Sequence, residues 1–128
     1  HARKTAFDAA SGEILGRIDA DSVIASDWVA TFNTIFVSGG PDAVCGSVTY
    51  HSLPYVRFWN GVDYVFRRYF AWALGREYAL QGANMALRSK AWRKTKHSIC
   101  NAGGLHEDFD RAIHLREQGH KTVFTRDC

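Results

Sequence analysis

Apolar residues recur along the chain with two periods, and the changes between them mark an alternating series of helices and strands. Residues 2–10 pattern as the last turns of a helix that ends near Gly12. Residues 13–18 then form a short apolar run that leads straight into Asp19-Ala20-Asp21. Ser26 is placed as a helix N-cap, with Asp27 in the first turn. Trp28, Val29, Phe32, Ile35 and Phe36 follow at helical spacing. Gly39-Gly40-Pro41-Asp42 breaks the chain, and residues 43–50 pattern as a second strand. Residues 54–74 form an aromatic-rich helix, weak at Gly61 and stopped by Gly75. A loop through Gly82-Ala83-Asn84 enters a strand at 85–88, followed by a short basic helix or turn at 89–96. A glycine loop at 101–104, a helix at 107–118 closed by Gly119 and a strand at 121–125 complete the series.

Strands alternating with helices imply an α/β layered fold. The absence of repeats, low-complexity tracts and linkers predicts one domain over 1–128. With 46% apolar and 13% aromatic residues, the chain supports a core. No apolar run approaches the roughly 18 residues a membrane-crossing helix needs. The polar, basic start at His1 is not a secretory signal, and three widely spaced cysteines do not make a disulfide framework. This favours a cytoplasmic setting.

The net charge of +3 conceals an asymmetry. Residues 1–64 carry four Lys or Arg against seven Asp or Glu, whereas residues 65–128 carry twelve against six. A basic second half suits a phosphate-bearing partner. No nucleic-acid-binding motif is visible, so nucleic acid is not the expected partner.

Two acidic spots carry the candidate chemistry. Asp19 and Asp21 sit at the C-terminal end of a strand, where open α/β sheets bind ligands. Carboxylates this close repel unless a positive group joins them. Mn²⁺ or Mg²⁺, with its preference for oxygen, is the natural partner and would neutralise charge on a departing diphosphate. An isolated D-x-D serves equally as the polar start of a loop. The second spot, His106-Glu107-Asp108-Phe109-Asp110, opens a helix, where the helix dipole alone favours acids. A carboxylate there also suits a general base that takes a proton from an attacking hydroxyl.

Residues 54–74 admit two readings: aromatics packed into the core, or one face laid on a membrane with Arg57, Arg67 and Arg68 near anionic headgroups. Arg88, Lys90, Arg93, Lys94 and Lys96 form either a solvated face or, with Arg88 best placed, a contact for a donor diphosphate.

The series Gly12 to Leu15, Ile18-Asp19-Ala20-Asp21-Ser22, Gly82 to Arg88, His106 to Asp110 and Gly119-His120-Lys121 resembles family 2 of the inverting glycosyltransferases, in order and over nearly the whole chain. The resemblance implies a GT-A-like, Rossmann-like mixed sheet flanked by helices. Asp19 and Asp21 match the metal- and diphosphate-binding D-x-D. Asp108 matches the catalytic base, with Glu107 beside it. Gly82, Ala83 and Asn84 match a loop lining the donor and acceptor pocket. The implied partners are a nucleotide-sugar donor and an acceptor, and the membrane reading of residues 54–74 would suit a lipid-linked acceptor with peripheral contact at the cytoplasmic face. The strand-helix-strand unit that precedes the D-x-D in the family does not appear, which implies a fold incomplete at the N-terminus. No Q-x-x-R-W segment follows the acidic cluster. Two alternatives stand beside this reading: a shortened, non-catalytic binding module, and a phosphohydrolase with Asp19 as nucleophile.

Overall fold

The structure is a computed structural model that describes residues 2–49, 54–73, 80, 82–98 and 107–126; at 67, 70, 71, 73 and 107–109 it describes the backbone alone. Along the chain run α1 (Ala2–Ala9), β1 (Ile14–Ile18), α2 (Trp28–Val37), β2 (Ala43–Cys45), α3 (Val56–Ala73), β3 (Asn84–Arg88), α4 (Ser89–Thr95), α5 (Glu107–Glu117) and β4 (Thr122–Phe124). The glycine loop at 101–104 lies outside the described residues.

The strands form one mixed sheet in the order β1-β3-β2-β4. β3 is antiparallel to both β1 and β2, and β2 is parallel to β4. Three strands therefore share one direction, and their carboxyl ends meet the start of β3 at a single edge.

Side chains alternate across a strand, so each strand feeds two cores. Leu15, Cys45, Met85 and Leu87 point to one face, where they pack with Phe7 of α1, Trp92 of α4 and Leu115 of α5. Val44 and Ala86 point to the other, under Phe32 and Phe36 of α2. The result is a helix–sheet–helix sandwich.

Arg111 stiffens the first of these layers. It is fully buried, with its guanidinium 5.1 Å from the Phe7 ring and 5.3 Å from the Trp92 ring. Stacking an Arg fork on two aromatic faces satisfies a charge that would otherwise be costly to desolvate.

Helix α5 ends as its sequence predicts. Gly119 takes φ +74°, His120 N–H donates to the Leu115 carbonyl at 2.9 Å, and Gly119 N–H donates to Arg116 at 2.8 Å. This paired closure is a Schellman motif, and it turns the chain back into β4.

Three sequence expectations need correction. The second strand stops at Cys45, short of the predicted 43–50, because the Asn84 side chain lies over Gly46 and takes the Ser47 carbonyl at 2.9 Å. Asp27, not Ser26, is the N-cap of α2, and it caps without a side-chain hydrogen bond. Among the described side chains of 54–74, most aromatics do not fill the core: Tyr55, Phe58, Phe66, Tyr69 and Trp72 are all more than half exposed.

Candidate functional site

The site is built at the carboxyl edge of the sheet. β1 ends at Ile18, and the chain turns at once: Ser22 N–H donates to the Asp19 carbonyl at 3.0 Å. The D-x-D is therefore a tight turn that projects Asp19 and Asp21 beyond the strand. Asp21 is exposed, and the Asp19 side chain is 47% exposed.

The β1–β3 register decides what faces that turn. Ile18 pairs with Asn84. One step further sets Asp19 opposite Ala83, so the acidic turn and Gly82-Ala83-Asn84 form one neighbourhood despite more than sixty intervening residues.

Arg17 joins them. It shares a face with Leu15 and Asp19, and its side chain is only 11% exposed. Its Nη2 lies 3.6 Å from Asp19 Oδ1. Its guanidinium fills the space that a side chain at Gly82 would occupy. Sequence reasoning missed Arg17; its place two residues before Asp19 on a strand was the available signal.

Asn84 is nearly buried, and both ends of its amide are engaged. Trp28 Nε1 donates to its Oδ1 at 2.8 Å, while its own Nδ2 donates to Ser47. The Asn84 side chain therefore braces the start of α2 against the end of β2 at this edge.

Helix α5 carries the backbone of Glu107 and Asp108 in its first turn. Since α5 turns back into β4, it runs against β4, and its first turn lies toward the carboxyl ends. Arg111 Nη1 reaches Met85 Sδ at 4.0 Å, and Met85 pairs with Arg17. The backbone of Asp108, three residues earlier, is roughly 4.5 Å further along that axis, toward the Asp19 turn. The side chains of Glu107 and Asp108 lie outside the described residues. Asp110 does not join them: it is buried and 3.4 Å from His114 Nε2.

Arg88 is not brought to the site. It pairs with Ile14 at the opposite edge. There its guanidinium donates to the Phe36 carbonyl at 2.7 Å and to Pro41 at 3.3 Å, closing the end of α2. Lys90, Arg93 and Lys94 are exposed on α4, which starts from that same edge.

Residues 1–105 match the glycosyl transferase family 2 pattern. The chain belongs to glycosyl transferase family 2. No curated protein and no solved structure matches it. Membership makes the chain a glycosyltransferase domain, acting on a nucleotide-sugar donor and an acceptor, and the mixed sheet between helices agrees with a GT-A-like domain. It also sets glycosyl transfer above the phosphohydrolase alternative.

The donor set at Asp19 and Asp21 bears on a metal. Among the described residues no three His, Cys, Asp or Glu side chains converge. Two solvent-reaching carboxylates on a turn do fit a hard cation that draws its remaining ligands from phosphate and water.

Proposed function

We propose that this domain of glycosyl transferase family 2 catalyses metal-dependent, inverting transfer of a sugar from a nucleotide-sugar donor to an acceptor hydroxyl. The meeting of the Asp19–Asp21 turn with Gly82-Ala83-Asn84, fixed by the Ile18–Asn84 register, supports this reading most strongly.

In this reading residues 1–128 act as one domain carrying the metal-binding and catalytic portion. Asp19 and Asp21 hold Mn²⁺ or Mg²⁺, which supplies charge neutralisation for the donor diphosphate. Arg17 positions Asp19. Gly82, Ala83 and Asn84 line the donor and acceptor side in this reading, Gly82 by making room for the Arg17 guanidinium, and Glu107 takes part with them. Asp108 is the general base: it takes the proton of the acceptor hydroxyl as that oxygen bonds to the anomeric carbon. The carbon–oxygen bond to the diphosphate breaks on the opposite side, its electron pair leaves with the nucleoside diphosphate, and configuration inverts. The acceptor is a carbohydrate or a lipid-linked, cell-envelope glycan, reached at the cytoplasmic face of a membrane.

Calorimetry with UDP, GDP and dTDP tests the donor site. One of them binds in Mn²⁺ and not in EDTA, and Asp19→Asn with Asp21→Asn removes that binding. Metal-independent binding of all three, unchanged in the double variant, refutes the assignment. With a donor identified, Asp108→Asn binds it normally and loses transfer by at least about a hundredfold; near-normal turnover removes Asp108 from the mechanism.

A further inference from the structure

Helix α3 carries large apolar side chains on its exposed face. In a surface helix of a globular domain the apolar stripe faces the body and the polar stripe faces water. Among the described side chains of α3 the partly buried positions are Val56, Asn60 and Asp63, at i, i+4 and i+7, and two of the three are polar. The opposite side is apolar over roughly half the circumference at 3.6 residues per turn. Phe58 is 64% exposed, Val65 65%, Phe66 55%, Tyr69 61% and Trp72 70%. A continuous aromatic face of this kind on a soluble surface marks a contact site.

Charge and chemistry identify what covers it. Arg57 and Arg68 run along one margin of the apolar face, and both are exposed. The acid of the helix, Asp63, lies on the body-facing stripe. Arg126 adds a third cation, stacked 4.6 Å from the Tyr64 ring centroid. Tyr and Trp interleaved with Phe and Val suit the layer between headgroups and acyl chains, where rings bury their carbon and keep polar tips wet. No helix among the described residues is long and apolar enough to cross a membrane. An in-plane helix with a cationic margin and an aromatic face is a surface anchor.

We infer that α3 lies flat on an anionic lipid surface, with Phe58, Phe66, Tyr69 and Trp72 inserted and Arg57 and Arg68 at phosphate headgroups. The chain leaves the sheet after Cys45 and returns at Gly82, both at the carboxyl edge, and Arg126 ties α3 to the end of β4 at that edge. Docking through α3 therefore turns the carboxyl edge that carries Asp19 and Asp21 toward the membrane. The membrane contact stands on α3 alone; its consequence, delivery of a lipid-linked acceptor, rests on the proposed function.

Flotation of the full chain with phosphatidylcholine vesicles, with and without phosphatidylglycerol, tests the contact. The chain floats with anionic vesicles at low salt, less so at high salt, and not with phosphatidylcholine alone. Phe66→Glu and Trp72→Glu, both at positions more than half exposed, each weaken partitioning about tenfold or more. Val29→Glu on exposed α2 leaves it unchanged. Circular dichroism confirms that the variants fold. Absence of binding overturns the inference, as does binding that Phe66→Glu and Trp72→Glu leave intact. A dimer in sedimentation equilibrium that those substitutions dissolve, without vesicle binding, overturns it in favour of self-association. Asp19→Asn with Asp21→Asn floats normally, so loss of nucleotide binding with intact flotation removes the donor site and leaves the membrane contact standing.

Discussion

Trp28 and Asn84 are joined by a 2.8 Å hydrogen bond from the indole Nε1 to the side-chain oxygen, linking the first residue of α2 to the first residue of β3. The indole also lies over Gly16 of β1, in the space a side chain there would fill. One amide thus holds α2, β1 and the end of β2 in a fixed relation at the carboxyl edge.

That arrangement predicts a stability phenotype. Asn84→Ala leaves the half-buried Trp28 N–H and Ser47 carbonyl without these partners and lowers unfolding free energy by about 1 to 2 kcal/mol. Trp28→Phe removes the donor and leaves one amide oxygen open, at about 1 kcal/mol. Urea melts of the two single variants and the double measure the coupling. A double variant whose loss equals the sum of the singles shows that the pair is not acting as a unit.

Much of this fold was readable from residues alone, and the gaps have physical causes. The strand into Asp19 and the helix closed by Gly119 are carried by local patterns, strand-end acids and a left-handed glycine, whereas the link between the D-x-D and Gly82-Ala83-Asn84 came only from the family resemblance. Arg88 was misleading because four residues of strand are invisible as distance in a sequence, yet they span roughly 13 Å and carry the side chain to the far edge. The early stop of β2 depends on Asn84, some forty residues away. The outward face of α3 was hidden for another reason: periodicity shows that a helix has two faces, not which one meets the body.

Gly119 and Gly61 give opposite outcomes for one substitution. Gly119 sits at φ +74°, and Ala there meets the carbonyl clash of the left-handed region, at about 1 to 2 kcal/mol. Gly61 is inside α3 with nothing near its missing Cβ, so Ala there gains about 0.5 to 1 kcal/mol in helix propensity. Thermal melts place Gly119→Ala below the parent, while helicity by circular dichroism is equal or higher in Gly61→Ala. A neutral Gly119→Ala removes the Schellman closure as the feature that aims α5.

Acid should act on α1 through Asp8. Its carboxyl is held below the ordinary value of 3.8 by the Lys96 ammonium at 3.0 Å and next by Trp92 Nε1 at 3.0 Å. A lowered carboxyl stabilises the fold above the unfolded value of about 3.9, and that contribution disappears as pH falls through the folded value. Asp8→Asn keeps an oxygen for Trp92 but loses the charge facing Lys96. Its melting temperature is lower than the parent's near neutrality, and the two converge as pH falls through the folded value. Curves that stay parallel as pH falls exclude Asp8 as the titrating group.

Arg17 and Gly82 supply the sharpest test of how the site is assembled. The guanidinium occupies the volume above Gly82 and from there reaches Asp19 at 3.6 Å. A Cβ at position 82 displaces the far end of Arg17 and leaves its strand position untouched, so Gly82→Ala changes the aim of Asp19 more than the stability of the sheet. Positioning partners of a metal ligand carry about ten- to a hundredfold in metal affinity, so Gly82→Ala weakens Mn²⁺-dependent nucleotide binding by about tenfold. Arg17→Ala does the same, and the double variant is little worse than either single one, because both remove one contact. Calorimetry at fixed Mn²⁺ reads all three. Additive losses mean that Gly82 faces the donor directly and that Arg17 acts elsewhere. An Arg17→Lys variant with full affinity means that a positive charge near Asp19 is enough, without the planar guanidinium packed on Gly82.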